Sequence, residues 1–156
     1  MPASRSPRAE LLDAQIGNAS YNDVAWNSAA VRGLGRLGSV ELTPKFLEMA
    51  RNAKSPLAPS ALIALGDLHD VRAVEIARAD FASRNTEILT ASARAAGSLV
   101  ALPGVRADDV RDRLASLLTD LGAPQEARTA ALESLVALHD RLNGALAQAV
   151  RDAGLE

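Results

Sequence analysis

The sequence predicts an all-α protein, a right-handed α-α superhelix of about four helical hairpins with one further helix in front. A short apolar segment, Val31-Arg32-Gly33-Leu34-Gly35-Arg36-Leu37, is followed by similar segments that close at Leu68, Leu99 and Leu138, spaced 31, 31 and 39 residues apart. Only 3% of the residues are aromatic, so small residues and leucine must pack the core, as closely spaced helices allow. No stretch alternates polar and apolar residues as a half-buried strand does.

Capping residues divide the first half of the chain into five predicted helices. Residues 1–6 are expected to form a flexible end, and Pro7 suits the first turn of a helix that runs to Ile16. Asn22 or Asp23 caps a helix that runs to Leu37. The next three helices are expected to begin at Pro44 behind the cap Thr43, near Ser60 behind Pro56 and Pro59, and after the cap Asp70, with Val71, Val74, Ala77 and Phe81 facing inward.

The second half is predicted to hold four more helices. Asn85 or Thr86 caps a helix to about Val100, which Pro103-Gly104 separates from the next. The last three are expected to be a helix capped by Asp108 and bearing Val110, Leu114, Leu117, Leu118 and Leu121; a helix from Pro124 to Leu138; and a helix capped by Asp140. The predicted helix ends give repeats at about 22–53, 54–84, 85–122 and 123–153, within a domain of residues 7–156.

Equivalent positions in the repeats stay small or apolar. The three sets are Ala30, Ala61, Ser92 and Ala131; Val31, Leu62, Ala93 and Leu132; and Leu34, Leu65, Ala96 and Leu135. A hairpin cannot bury such a face alone, so neighbouring units must stack. The segments from Val31 to Leu37 and from Ala64 to Leu68 resemble those of the HEAT-repeat family, above all its short bacterial HEAT-like, PBS-lyase-type members. That resemblance implies an armadillo-like α solenoid and a role in protein binding.

Composition excludes several classes of function. The chain has 17 basic and 19 acidic residues, without the basic excess that is typical of nucleic-acid binding. It contains no cysteine, which excludes disulfides, thiolate zinc sites and cysteine nucleophiles. No apolar run approaches the roughly 20 residues of a membrane span, and no signal peptide is evident. These features predict a soluble protein of the cytoplasm.

No residue is predicted to be catalytic, to bind a cofactor or to ligate a metal. His69-Asp70 and His139-Asp140 lie in repeats roughly 20 Å apart, too far to share an ion, and a role at helix ends explains them better. Trp26, with Tyr21 and Asp23, is better explained as a plug between the first helices than as a base-stacking platform. Asp108, Asp109 and Asp112 suit a helix start, and Gly33-Leu34-Gly35 lies inside a helix and is not a phosphate loop.

Three arginines on the first helices, Arg32, Arg36 and Arg94, align with Ile63, Glu133, Asp67, Ser98 and Ala137 in the other repeats, so a solvated face is predicted there. The second helices carry polar residues that vary between repeats: Lys45, Glu48 and Arg51; Arg72, Glu75 and Arg78; Arg111 and Arg113. We therefore expect a non-catalytic scaffold, without cofactors, whose second helices form a concave surface for another protein or an adjacent domain.

Two alternatives follow from the resemblance alone. HEAT-like repeats occur in bilin lyases, which implies a ligand-handling protein that would shift the absorption of a bilin or haem. They also occur in alkylpurine DNA glycosylases, which implies a DNA-binding module whose binding depends on salt.

Overall fold

The computed structural model describes Glu10, residues 23–100, Leu102, Gly104, Val105 and residues 108–152, with side chains in the last helix up to Gly144 and at Gln148. The described residues form seven α-helices and no strand, which confirms the all-α class. The helices are α1 Val24–Arg36, α2 Thr43–Arg51, α3 Ala58–Asp67, α4 Ala73–Asp80, α5 Thr86–Leu99, α6 Asp108–Thr119 and α7 Gln125–Asp152, with a 3-10 turn at Val40–Leu42 before α2. Apart from Glu10, the helix predicted over residues 7–16 lies outside the described residues.

The helices form two rows. In the first row α1 packs on α3, α3 on α5 and α5 on α7. The second row consists of α2, α4 and α6, which pack mainly on α3, α5 and α7, the first-row helices that follow them in the chain. Each of the predicted repeats 22–53, 54–84 and 85–122 therefore holds one helix of each row, whereas 123–153 holds α7 alone.

Glycines join the first-row helices at three equivalent contacts, which we call the seam. The contacts are Gly35 with Ala64, Gly66 with Ala95, and Gly97 with Ser134. A Cβ atom added to Gly35 would lie 2.6 Å from the Cα atom of Ala64, closer than carbon atoms can approach. At the third contact the buried hydroxyl of Ser134 donates a hydrogen bond of 2.8 Å to the carbonyl oxygen of Ala93. The repeat in the sequence is thus a repeat of helix-to-helix contacts.

Two first-row helices end in the same way. After α1, the amide of Gly38 donates to the Gly35 carbonyl and that of Ser39 to the Leu34 carbonyl. After α3, His69 and Asp70 make the equivalent bonds to Gly66 and Leu65. This pattern requires a left-handed residue just beyond the helix, and both Gly38 (φ 72°) and His69 (φ 55°) adopt it. His69 therefore lies at the helix end, as predicted.

The capping predictions are confirmed at α5 but not at α1 and α2: Asp23 makes no side-chain capping hydrogen bond, and Thr43 is the first residue of α2, behind Leu42. The side chain of Asn85 accepts hydrogen bonds of 2.9 and 3.2 Å from the amides of Glu87 and Ile88, which caps α5 as predicted. Asp70 accepts a 3.0 Å bond from the Arg72 amide in the turn before α4, although the helix proper begins at Ala73. Pro44 and Pro59 both lie in first turns, where a missing amide proton costs nothing.

Several predictions were wrong. No break occurs between Leu138 and Asp140: α7 is one helix of 28 residues, so Asp140 caps nothing. Val71, predicted to face inward, is 53% exposed. Leu121, predicted to lie on the helix capped by Asp108, comes after the end of α6 and is 84% exposed. Trp26, predicted to plug the space between the first helices, is 54% exposed on α1, and most of the helix predicted before it lies outside the described residues.

The last first-row helix presents an uncovered face. Leu132 is 48% exposed, although the residues at its position in the earlier repeats, Val31, Leu62 and Ala93, are buried. Val136, at the position of Gly35, Gly66 and Gly97, is 51% exposed. Side chains at these positions are buried only where another first-row helix follows. None of the described helices is long and apolar enough to cross a membrane.

Candidate functional site

One face of the first-row helices lines two adjoining cavities, which together we call the groove. The smaller cavity, of about 250 Å³, lies against the C-terminal halves of α1, α3 and α5. The larger, of about 570 Å³, lies against their N-terminal halves and reaches Glu126 at the start of α7. Arg32 and Ile63 line both cavities, so the groove runs along the helices. Its lining residues occupy equivalent positions because each helix presents the same face: Ser28, Arg32 and Arg36; Pro59, Ile63 and Asp67; Thr90, Arg94 and Ser98.

Three arginines surround the smaller cavity. Arg32 and Arg36 stand one helical turn apart on α1, and Arg94 approaches from α5 across α3. Within the described part of the chain, none of the three forms an ion pair with a carboxylate. The Arg32 side chain makes one long contact, 3.4 Å from its Nε to the Ser28 carbonyl oxygen. This end of the groove therefore carries positive charge that no described carboxylate pairs with directly.

Asp67 lies in the middle of the same cavity. Burial raises the pKa of its carboxyl, although the nearby charges of Arg36 and His69 act in the opposite direction. Its Oδ2 atom is buried and has no hydrogen-bond partner among the described residues. A buried carboxylate oxygen without a donor is costly, so a molecule in the cavity would gain by donating a hydrogen bond to it.

The larger cavity has a floor of small residues and an acidic end. Ala25, Ser28, Ser60 and Ala91 leave room between the helices. The hydroxyl of Thr90 is buried there and, like Asp67 Oδ2, lacks a described partner. Glu87 and Glu126, in the first turns of α5 and α7, lie at the end away from Arg36 and Arg94. Each charge suits the dipole of its helix, but the dipole alone does not collect these residues on one face.

The sequence predicts that the three arginines form an interrupted stripe on a solvated face. Arg36 and Arg94 are exposed, as a solvated face predicts, and the structure also brings them together with Arg32 around one cavity, with Asp67 between them. The interruption has a simple geometric cause: Ile63 and Asp67 belong to the helix between the two that carry the arginines. The sequence does contain the elements of this cluster: a pair of arginines four residues apart on one helix, and a third arginine two repeats later. Comparing one position across the repeats hides the cluster, because its arginines occupy two different positions.

Several charged residues of the second row and the turns beside it pair with one another. Arg78 on α4 binds Asp109 on α6 through two bonds of 2.6 and 3.0 Å and also pairs with Glu75. Arg72 pairs with Asp70 at 2.6 Å and Arg111 with Asp108 at 3.4 Å. A cavity of about 430 Å³ lies between α2 and α4, lined by Arg51, Arg72, Glu75, Ile76 and Asp80 among others. Arg51 and Arg113 of the second row also form no ion pair among the described residues, so what distinguishes the first row is its larger cavity and the three arginines that surround one site.

The remaining candidate residues do not form a site. His69 is exposed at the end of α3, and His139 is exposed inside α7 with its Nε2 atom 2.9 Å from the Asn143 amide nitrogen. Among the described residues, no three histidine or acidic side chains are grouped so that they could hold a metal ion. Asp108 and Asp109 lie in the first turn of α6, as predicted, and Asp109 bonds Arg78. Gly33 and Gly35 lie inside α1, as predicted, and Tyr21 lies outside the described residues.

Comparisons with protein-family models, with curated proteins and with solved structures find no significant match to this chain.

Proposed function

We propose that this chain is a non-catalytic helical-repeat scaffold that binds a segment of another protein, or of an adjacent domain, in the groove of its first-row helices. One observation carries the proposal: the same face of successive helices lines one groove, while the residues at equivalent positions change from helix to helix. Ser28, Pro59 and Thr90 illustrate this variation at one position. A surface built from a constant framework with variable side chains is suited to recognising an extended, irregular ligand.

Packing also supports a curved stack. The first-row helices touch through glycine, whereas neighbouring second-row helices make few contacts with each other. A stack whose helices are closer along one row curves toward that row, so the groove lies on the inner side. The proposal therefore includes the HEAT-like, right-handed superhelix that the resemblance implies and a scaffold in the cytoplasm. It places the concave surface on α1, α3, α5 and α7, in place of the second helices expected from the sequence.

Two other roles were expected from the resemblance, and the groove favours neither. Among the described residues, no aromatic side chain lines either cavity. A base-stacking site needs aromatic platforms, and a flat conjugated ligand gains most of its affinity from apolar and aromatic walls. An elongated groove with charged ends and a floor of small residues is better suited to a peptide segment.

A pair of tryptophan substitutions tests the proposal. Ser28→Trp fills the larger cavity, and Ser116→Trp places the same side chain on exposed α6 in the second row. We expect short random peptides on an array to bind the wild-type protein and Ser116→Trp, and to lose binding to Ser28→Trp by at least about tenfold. Equal loss in both variants, or no peptide bound by the wild type, would contradict the proposal.

A further inference from the structure

The charges of the groove indicate the chemistry of its partner. Arg32, Arg36 and Arg94 surround one end of the groove without an ion pair to any described carboxylate, and Glu87 and Glu126 stand at the other end. An anion placed between the three guanidinium groups would pair with charges that are only partly satisfied. An acidic side chain at the opposite end would meet two carboxylates and be repelled.

The dimensions of the groove suit a short extended segment. The groove follows α3, whose 10 residues span about 15 Å at 1.5 Å per residue. An extended chain rises about 3.3 Å per residue, so about five residues fit along it. The small floor residues leave space for their side chains, and Thr90 Oγ1 and Asp67 Oδ2 offer buried hydrogen-bonding atoms to backbone amides.

Asp67 narrows the choice of ligand further. A free inorganic anion in the smaller cavity would approach a carboxylate that lies beside the arginines. A peptide avoids this conflict because it carries both groups: a carboxylate for the guanidinium fork, and an amide N–H directed at Asp67. Guanidinium groups bind carboxylates in a planar, two-point geometry, which fixes the position of the acidic residue.

The geometry points to an extended, acidic peptide segment as the partner of this groove, with an aspartate or glutamate held between Arg32, Arg36 and Arg94. This assignment rests on the proposed function, since it names the chemistry of the segment that the scaffold binds. The ligand group is the side-chain carboxylate of a residue within a peptide.

A peptide array tests this inference, with binders confirmed by fluorescence anisotropy. We expect peptides bound by the wild-type protein to carry an aspartate or glutamate near one end more often than the array as a whole. Replacing the acidic residue of a binding peptide by its amide should weaken binding by about tenfold or more, and added salt should weaken binding of the acidic peptide alone. These measurements compare peptides on one unaltered protein, so they do not depend on the folding of a variant.

A matched pair of triple variants then locates the contact. Arg32→Gln with Arg36→Gln and Arg94→Gln removes the groove charges, and Arg84→Gln with Arg111→Gln and Arg113→Gln removes three exposed charges elsewhere. The first should lose affinity for the acidic peptide by about tenfold or more, and the second should stay within about twofold. Bound peptides that are neutral or basic, or equal loss in both variants, would overturn the acidic assignment and leave a peptide-binding groove standing. Failure of the wild type to bind any peptide would instead remove the proposed function.

Discussion

The two rows of helices are held together by different kinds of interaction. First-row neighbours meet through glycine against alanine or serine, with backbones in contact. Second-row neighbours make few direct contacts, and α4 is tied to α6 by the exposed ion pair of Arg78 and Asp109. Close packing of small residues tolerates no added atom, whereas an exposed ion pair contributes little. We infer that the first row sets the spacing of the stack and that the second row follows it.

Two glycines of α1 provide the strongest test of the seam. Gly35 lies against Ala64, whereas no atom outside the helix lies within 4 Å of a Cβ built on Gly33. Gly35→Ala should lower the free energy of unfolding by about 1–3 kcal/mol through overpacking. Gly33→Ala should raise it by about 0.5–1 kcal/mol because alanine favours the helix. Urea unfolding followed by circular dichroism measures both, and equal effects would mean that α1 and α3 are not in close contact.

Loss of the hydrogen bond at the third seam contact should lower stability by less than the steric clash introduced at Gly35. Ser134→Ala removes the hydrogen bond to the Ala93 carbonyl inside the buried contact of α5 with α7. We expect a loss of about 0.5–1.5 kcal/mol, the usual net value for such a bond. Ser116→Ala, on an exposed part of α6, is the control and should change stability by less than about 0.5 kcal/mol. If the two variants unfold at the same urea concentration, the seam does not depend on this hydroxyl.

Salt should change the contribution of the second-row ion pair to stability, but not that of the first-row glycine contact. Arg78→Gln removes the pairs with Asp109 and Glu75, and we expect the melting temperature to fall by no more than about 3 °C. At 1 M salt, where the screening length is about 3 Å, the difference from wild type should nearly vanish. The Gly35→Ala difference should persist under the same conditions. A salt-resistant loss in Arg78→Gln would show that this arginine also packs the row.

Carboxylates in the two rows should respond to pH with opposite signs. Arg78 lowers the pKa of Asp109, so its contribution to stability is present above the ordinary pKa of about 3.9 and is lost as pH falls. Burial raises the pKa of Asp67, so its ionised form weakens the fold at neutral pH. Asp67→Asn should therefore be slightly more stable than wild type at pH 7, by at most about 0.5 kcal/mol, and Asp109→Asn less stable. Thermal unfolding at pH 7 and pH 3 measures this, and both differences should shrink at the lower pH.

Much of the first row could be predicted from the sequence because one contact is repeated. Gly35, Gly66 and Gly97 recur with small partners, so the spacing of the repeat predicted helices that stack face to face. The break before Asp140 was predicted because aspartate is a good helix cap, but of Asp70 and Asp140 only Asp70 accepts a hydrogen bond from a backbone amide among the described residues, in the turn before α4. His69-Asp70 and His139-Asp140 are thus alike in sequence but not in structure. Leu142 and the apolar residues after it continue the helical pattern through α7.

The groove was harder to predict, since it depends on which helices are neighbours. Arg36 and Arg94 are far apart in the chain and meet only across α3, a relationship set by the packing of α1, α3 and α5. The exposure of Trp26 has a similar origin, because its apolar character says nothing about which helix lies opposite. Position within one helix is encoded locally, but proximity between helices is a property of the assembled stack.

Val136 has a consequence for how molecules of this protein meet. It stands where three earlier helices have glycine, and it is half exposed on the outer face of α7. Were α1 of a second molecule to approach this face as α3 approaches α1, a branched side chain would hold the backbones apart. Head-to-tail polymerisation into a filament is therefore disfavoured by a single residue, even though the uncovered face is apolar.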